Sequence, residues 1–131
     1  MNYRQEYEKW LASPALSEDE RNELKAIAND EKEIENRFYG PLEFGTAGLR
    51  GTMYVGLHNM NRHVIRWATQ GFANVIRAEG EEAMKKGVAI CMDCRNHSME
   101  FARAAACVMA DWLEAVYTDS QGNEVPIPLE R

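Results

Sequence analysis

No helix can run comfortably through residues 43–56. The stretch EFGTAGLRGTMYVG puts four glycines into fourteen positions, and each glycine inside a helix costs about 1 kcal/mol relative to alanine. Its apolar residues follow no 3.6-residue period, and β-compatible side chains flank the glycines. The stretch therefore reads as strands joined by tight glycine turns. It divides the chain into what must fold before it and what must fold after it.

The preceding residues 1–40 read as a helical segment. Tyr3, Tyr7, Trp10 and Leu11 recur at helical spacing, and Pro14 closes the run. Ser17 with Glu20 three residues later forms a capping box. Leu24, Ile27, Ala28, Ile34 and Phe38 then continue an apolar stripe, with a break near Asn29 and Asp30. Ten acidic side chains against six basic ones in this segment make its outer face a solvated acidic surface.

After the glycine stretch, Asn59 or Asn61 is placed to cap a helix. Its expected buried face is Val64, Ile65, Ala68, Phe72, Val75 and Ile76, and the helix is expected to run on to Gly87. Residues 88–92, Val-Ala-Ile-Cys-Met, form a short apolar run that reads as a strand covered on both faces. Ser98 is expected to cap a further helix with a stripe of Phe101, Ala104, Ala105, Val108, Met109 and Trp112, and Ala115-Val-Tyr117 reads as another strand. Strands alternating with helices imply an α/β domain with a largely parallel sheet. Residues 118–131 hold turn formers and two prolines and are expected to be a loosely held tail.

Composition removes several functional classes. With 45% apolar residues the chain can bury one ordinary core. A net charge of −6 without a concentrated basic stripe argues against nucleic acid as partner. Apolar runs fall far short of the ~20 residues a bilayer demands, so no membrane partner is expected. With no export signal visible, the cytoplasm is the expected compartment. Cys91 and Cys94 form a C-x-x-C, but no second pair accompanies them, so a zinc site is not expected. The pair reads as two thiols at the end of a buried strand.

Two loops carry candidate chemistry. Asp93-Cys94-Arg95-Asn96-His97-Ser98 follows the expected strand, and ligands in open α/β sheets gather at such strand ends. Asp93 and Arg95 are spaced to orient each other. The other loop is Gly45-Thr46-Ala47-Gly48-Leu49-Arg50-Gly51, where the glycines permit close approach and Arg50 can extend a bidentate fork toward a phosphate. It is neither a Walker loop nor a dinucleotide fingerprint.

The segment Leu42-Glu-Phe-Gly-Thr-Ala-Gly-Leu-Arg-Gly51 closely resembles the opening motif of the α-D-phosphohexomutase superfamily. Met60-Asn61 with Val64, Arg66 and Ala68-Thr-Gln-Gly71 resembles that family's first long helix. Asp93-x-Arg95-x-x-Ser98 before Phe101-Ala102 resembles its second strand-loop-helix. Cys94 stands where serine is usual, and Asn59 where arginine is frequent.

The resemblance implies a three-layer α/β/α domain with a mixed, largely parallel sheet, incomplete and spanning residues 41–117. It implies that Arg50 contacts a hexose phosphate, that Gly45, Thr46, Gly48 and Gly51 shape the loop, and that Asp93, Arg95 and Ser98 support the site. The family's catalytic phosphoserine loop, Ser-His-Asn-Pro, and its Asp-Gly-Asp-x-Asp magnesium site have no counterpart in the sequence, so no catalytic or metal-ligating residue is assigned. Magnesium and a hexose bisphosphate belong to the complete family. The expectation is the N-terminal part of such an enzyme, inactive alone, with an uncovered sheet edge open to self-association. The alternative is a free-standing binding or regulatory module that kept the fold.

Overall fold

The structure is a computed structural model that describes residues 2–111, 116–118 and 121–126. Two compact units divide the chain, Met1–Val64 and Ile65–Arg131.

Three helices open the first unit, each started by a local cap. In α1, Tyr3–Leu11, Asn2 Oδ1 accepts the amides of Arg4 and Gln5. In α2, Glu18–Ala26, the Ser17 hydroxyl accepts the Glu20 amide while the Glu20 carboxylate accepts the Ser17 amide. This is the expected capping box. In α3, Glu31–Phe38, Asp30 accepts the Glu33 amide, so the stripe does break at that point.

The helices enclose Tyr7, Leu16, Leu24, Ile34, Phe38 and Val55. Tyr7 and Trp10 both meet Phe38 edge-on with ring centroids 5.7 Å apart, the geometry that ring quadrupoles favour. The Tyr7 hydroxyl donates to the Leu24 carbonyl at 2.9 Å, so its polar tip is satisfied inside the core.

A second set of bonds ties residues 52–61 onto these helices. Arg37 is buried, and its guanidinium donates to Glu33 at 2.8 Å, to Glu23 at 2.7 Å and to the Val55 carbonyl at 3.3 Å. The same Glu23 oxygen accepts the Val55 amide at 2.9 Å. Tyr54 covers the guanidinium with its ring centroid 4.4 Å away. Asn61 Nδ2 donates to the carbonyls of Tyr54 and Gly56, and its Oδ1 accepts the amides of His63 and Val64 at the start of α4, Arg62–Glu79. One side chain thus closes a loop and caps a helix.

Glu20 adds a further tie. It receives a two-bond fork from Arg62 at 2.9 and 2.8 Å and lies 3.1 Å from His63 Nε2. Burial opposes its charge, but the bonds from Arg62, the Ser17 amide and His63 outweigh it and bring the carboxyl from 4.5 down to about 2.

Between these anchors lies an antiparallel hairpin, β1 Phe44–Gly45 with β2 Gly48–Leu49, turning at Thr46 and Ala47. Gly48 sits at φ 101°, where L residues are strained.

In the second unit, Gly80 at φ 98° interrupts the helix expected to reach Gly87, giving a separate α5, Glu81–Lys86. The expected buried face of α4 is also only partly right. Val64 of that face is buried, whereas Phe72 and Val75 are exposed and Ala73, which was not assigned to it, is buried. Periodicity identifies an apolar face without supplying the element that covers it.

Residues 88–92 are not the buried strand that was expected. They form no ladder among the described residues, and Ile90 and Met92 are exposed. A strand exists only through a partner's N–H and C=O groups, and among the described residues none lies in register with this run. The described strands make two antiparallel pairs, the hairpin above and β3 Val116–Thr118 with β4 Glu124–Pro126, so no parallel ladder is seen among them.

Helix α6, Ser98–Ala110, buries Ala106, Val108 and Met109. Its cap is His97 in the left-handed region rather than Ser98. Trp112 and Ala115, both assigned roles from sequence, lie outside the described residues.

Two outcomes follow for stability. A Cβ on Gly56 meets Arg37 Cβ and Asn59 Oδ1 at 2.8 Å with φ at +152°, while a Cβ on Gly80 at φ +98° meets open space. Backbone strain costs roughly 1–3 kcal/mol in either case. Gly56→Ala is therefore expected to lower the denaturation midpoint clearly further than Gly80→Ala in urea titration, and equal midpoints would contradict the packing described. The depressed Glu20 carboxyl stabilises the fold above pH 4.5, and that contribution fades as pH falls from 4.5 toward 2. Thermal unfolding of Glu20→Gln should show a shallower loss across that window than the wild type.

Candidate functional site

The loop of residues 44–51 is held at both ends. On one side the Leu42 amide donates to the Leu57 carbonyl at 3.2 Å, and on the other the Met60 amide donates to the Thr52 carbonyl at 2.8 Å. Asn59 Nδ2 reinforces the second end by donating to the Thr52 hydroxyl at 2.9 Å. Gly51 passes so close to Leu42 that a Cβ meets its methyls at 3.1 and 3.2 Å.

Arg50 sits between these anchors. It is exposed, and among the described residues its side chain makes no hydrogen bond or ion pair. Gly45 and Thr46 are exposed with it at the tip of the hairpin. The four loop-shaping positions and Arg50 thus come together as one element of the first unit.

Asp93, Arg95 and Ser98 come together in the second unit. Arg95 donates its amide to Asp93 Oδ1 at 3.0 Å and its Nε to Oδ2 at 2.7 Å, and the Ser98 hydroxyl donates to Oδ1 at 2.7 Å. The Arg95 guanidinium, followed by the Ser98 hydroxyl, holds the Asp93 carboxyl well below the usual carboxylate range. Asp93 in turn raises the pKa of Arg95. Both carboxylate oxygens of Asp93 accept hydrogen bonds from this loop. Arg95 remains largely exposed beside it.

These three residues line a pocket of about 410 Å³ with Cys91, Met92, Phe101 and Ala102. His97 precedes the helix at φ 65° and bonds Glu100 through Nδ1 at 2.9 Å. The loop therefore combines a fixed cation with the start of a helix, an arrangement suited to an anionic ligand.

A family model described as "Phosphoglucomutase/phosphomannomutase, alpha/beta/alpha domain I" matches residues 41–129. The chain belongs to this family. The mix of helices and strands agrees with the α/β/α description of that domain. A phosphopentomutase from Mus musculus is 35% identical over 124 residues, covering 90% of this chain and 20% of that protein. A phosphoribomutase from Saccharomyces cerevisiae is 41% identical over 102 residues, covering 77% and 16%. A phosphomannomutase from Mycoplasma pneumoniae is 28% identical over 124 residues, covering 95% and 22%. The chain spans about a fifth of the length of these relatives. No solved structure matches it significantly.

Among the described residues no group of three or more His, Cys, Asp or Glu side chains is placed to hold a metal ion. These described residues offer no donor set that fits the magnesium of the complete family. No described helix is long and apolar enough to cross a membrane.

Sequence reasoning missed Glu23, Arg37 and Asn61 as supports of the Arg50 loop. The i,i+4 spacing of Glu33 and Arg37 was a visible signal, but the partnership of Arg37 with Glu23 and Val55 depends on how the helices pack.

Replacing Asp93 with alanine removes three acceptor bonds. At about 1 kcal/mol for a lost hydrogen bond, exchange of the Arg95 amide, which donates to Asp93 Oδ1, is expected to quicken roughly fivefold. Unchanged protection by hydrogen-exchange NMR would count against Asp93 as the organiser of this loop.

Proposed function

We propose that this chain forms a phosphosugar-binding wall of a phosphomutase, with Arg50 as the group that contacts the substrate phosphate. The supporting observation is an exposed arginine, without a partner among the described residues, on a hairpin pinned at both ends. Such a guanidinium gives up no existing bond on meeting a ligand, and its planar fork matches two phosphate oxygens. Gly45, Thr46, Gly48 and Gly51 shape the approach. Asp93 and Ser98 position Arg95 as a second cation for the same class of ligand.

The relatives carry names of pentose, ribose, mannose and glucose mutases. A phosphorylated sugar, hexose or pentose, is the shared chemistry we assign. Phosphoryl transfer needs a nucleophile and charge neutralisation of the moving group. The Ser-His-Asn-Pro and Asp-Gly-Asp-x-Asp motifs that supply them do not occur in these 131 residues. We therefore propose that the chain alone binds without turnover, in the cytoplasm.

The run at residues 88–92 is proposed to become a strand of a largely parallel sheet once a neighbouring strand supplies its ladder. Until then this uncovered apolar run favours self-association.

Titrating glucose 1-phosphate and ribose 1-phosphate into the ¹⁵N-labelled chain tests this reading. The Arg50 Nε and the amides of Gly48 and Gly51 are expected to shift, and Arg50→Ala should weaken binding at least tenfold. Absence of any shift at these groups would overturn the assignment, and steady interconversion of either sugar phosphate by the chain would overturn its inactivity.

A further inference from the structure

The C-x-x-C of the second unit has no part in the reading above. Its thiols were expected at the end of a buried strand, yet Cys91 and Cys94 are both exposed. Cys91 also lines the pocket that contains Asp93, Arg95 and Ser98. Only Met92 and Asp93 separate the two cysteines, so a bond between their sulfurs closes a small ring around Asp93.

Bridging requires the Cα atoms to come within about 4.4–6.8 Å. Among the described residues, the backbone of residues 88–94 makes no hydrogen bond to any other backbone group. No ladder or helical turn therefore opposes the contraction. The third thiol, Cys107, is half-buried within α6.

We infer that Cys91 and Cys94 form a reversible dithiol–disulfide pair, oxidised by low-molecular-weight disulfides, on the edge of the Asp93–Arg95–Ser98 pocket. One thiolate attacks a sulfur of the oxidant RSSR, forming a mixed disulfide and releasing RS⁻. The second thiolate attacks the protein sulfur of that mixed disulfide and expels the other RS⁻. The two cysteine protons end on the two released thiols, and the two electrons lost by the protein reduce the oxidant. Because the Asp93 backbone is part of the ring, closure displaces the carboxylate that holds Arg95 and Ser98, each at 2.7 Å. The orientation of Arg95 thereby becomes dependent on redox state.

Oxidised glutathione is the probe, and it spares the exposed Met92. Lys86 and Arg95 bound a tryptic peptide, residues 87–95, that holds both cysteines and excludes Cys107. After incubation of the folded chain, this peptide is expected to lose the mass of two hydrogen atoms, to carry no glutathione, and to revert with dithiothreitol. Cys94→Ser should instead retain a glutathione adduct on Cys91, and Cys107→Ser should behave as wild type. Stable adducts on wild-type Cys91 and Cys94, linkage to Cys107 or to a second chain, or no oxidation would each overturn the pair. The Arg95 Nε–H resonance is expected to shift on oxidation, and an unmoved signal would overturn its coupling to Arg95.

Discussion

The buried guanidinium of Arg37 is the interaction on which the first unit depends. A cation in that position is tolerable only with its charge matched and its donors used. Glu33 comes from its own helix, Glu23 from α2 and the Val55 carbonyl from the loop beyond the hairpin. Removing either carboxylate leaves the buried cation with one charged partner instead of two, a destabilising change. The residues that resemble a helical preface are thus part of the support of the Arg50 loop. Asn61 joins the loop to the start of α4, and Glu20 joins that start to α2 through Arg62.

The two arginine loops solve different problems. Arg50 lacks a partner among the described residues and is presented by the rigidity of its surroundings. Arg95 is oriented by its own neighbour, since Asp93 takes the amide, the guanidinium and the Ser98 hydroxyl at once. One loop is positioned by packing and the other by a short-range hydrogen-bond knot. The second is therefore the more open to local chemistry, and the exposed thiols flanking Asp93 lie where such chemistry acts.

What the sequence revealed was local in origin. The cap at Ser17, the break near Asp30, the apolar stripes of the opening helices and the glycine turn at Gly48 depend on residues close in the chain. The residues of each loop were also easy to group, because a family motif and a two-residue spacing keep them close in the chain. What stayed hidden depended on distant partners. Glu23 and Arg37 are 14 residues apart and read as solvated charge. The run at residues 88–92 has the composition of a buried strand but no ladder among the described residues, and Phe72 and Val75 occupy an apolar face that remains exposed. Ser98 has the chemistry of a cap, yet its hydroxyl is committed to Asp93, leaving His97 at the helix entrance.

Through Arg37, the helices before residue 40 hold the segment that follows the Arg50 loop. Hydrogen exchange at the Leu42, Val55 and Met60 amides, compared between wild type and Arg37→Met, tests it most directly. All three are expected to lose protection together while amides within α6 keep theirs. Retention of wild-type protection at Leu42 and Met60 in a folded Arg37→Met chain would contradict it.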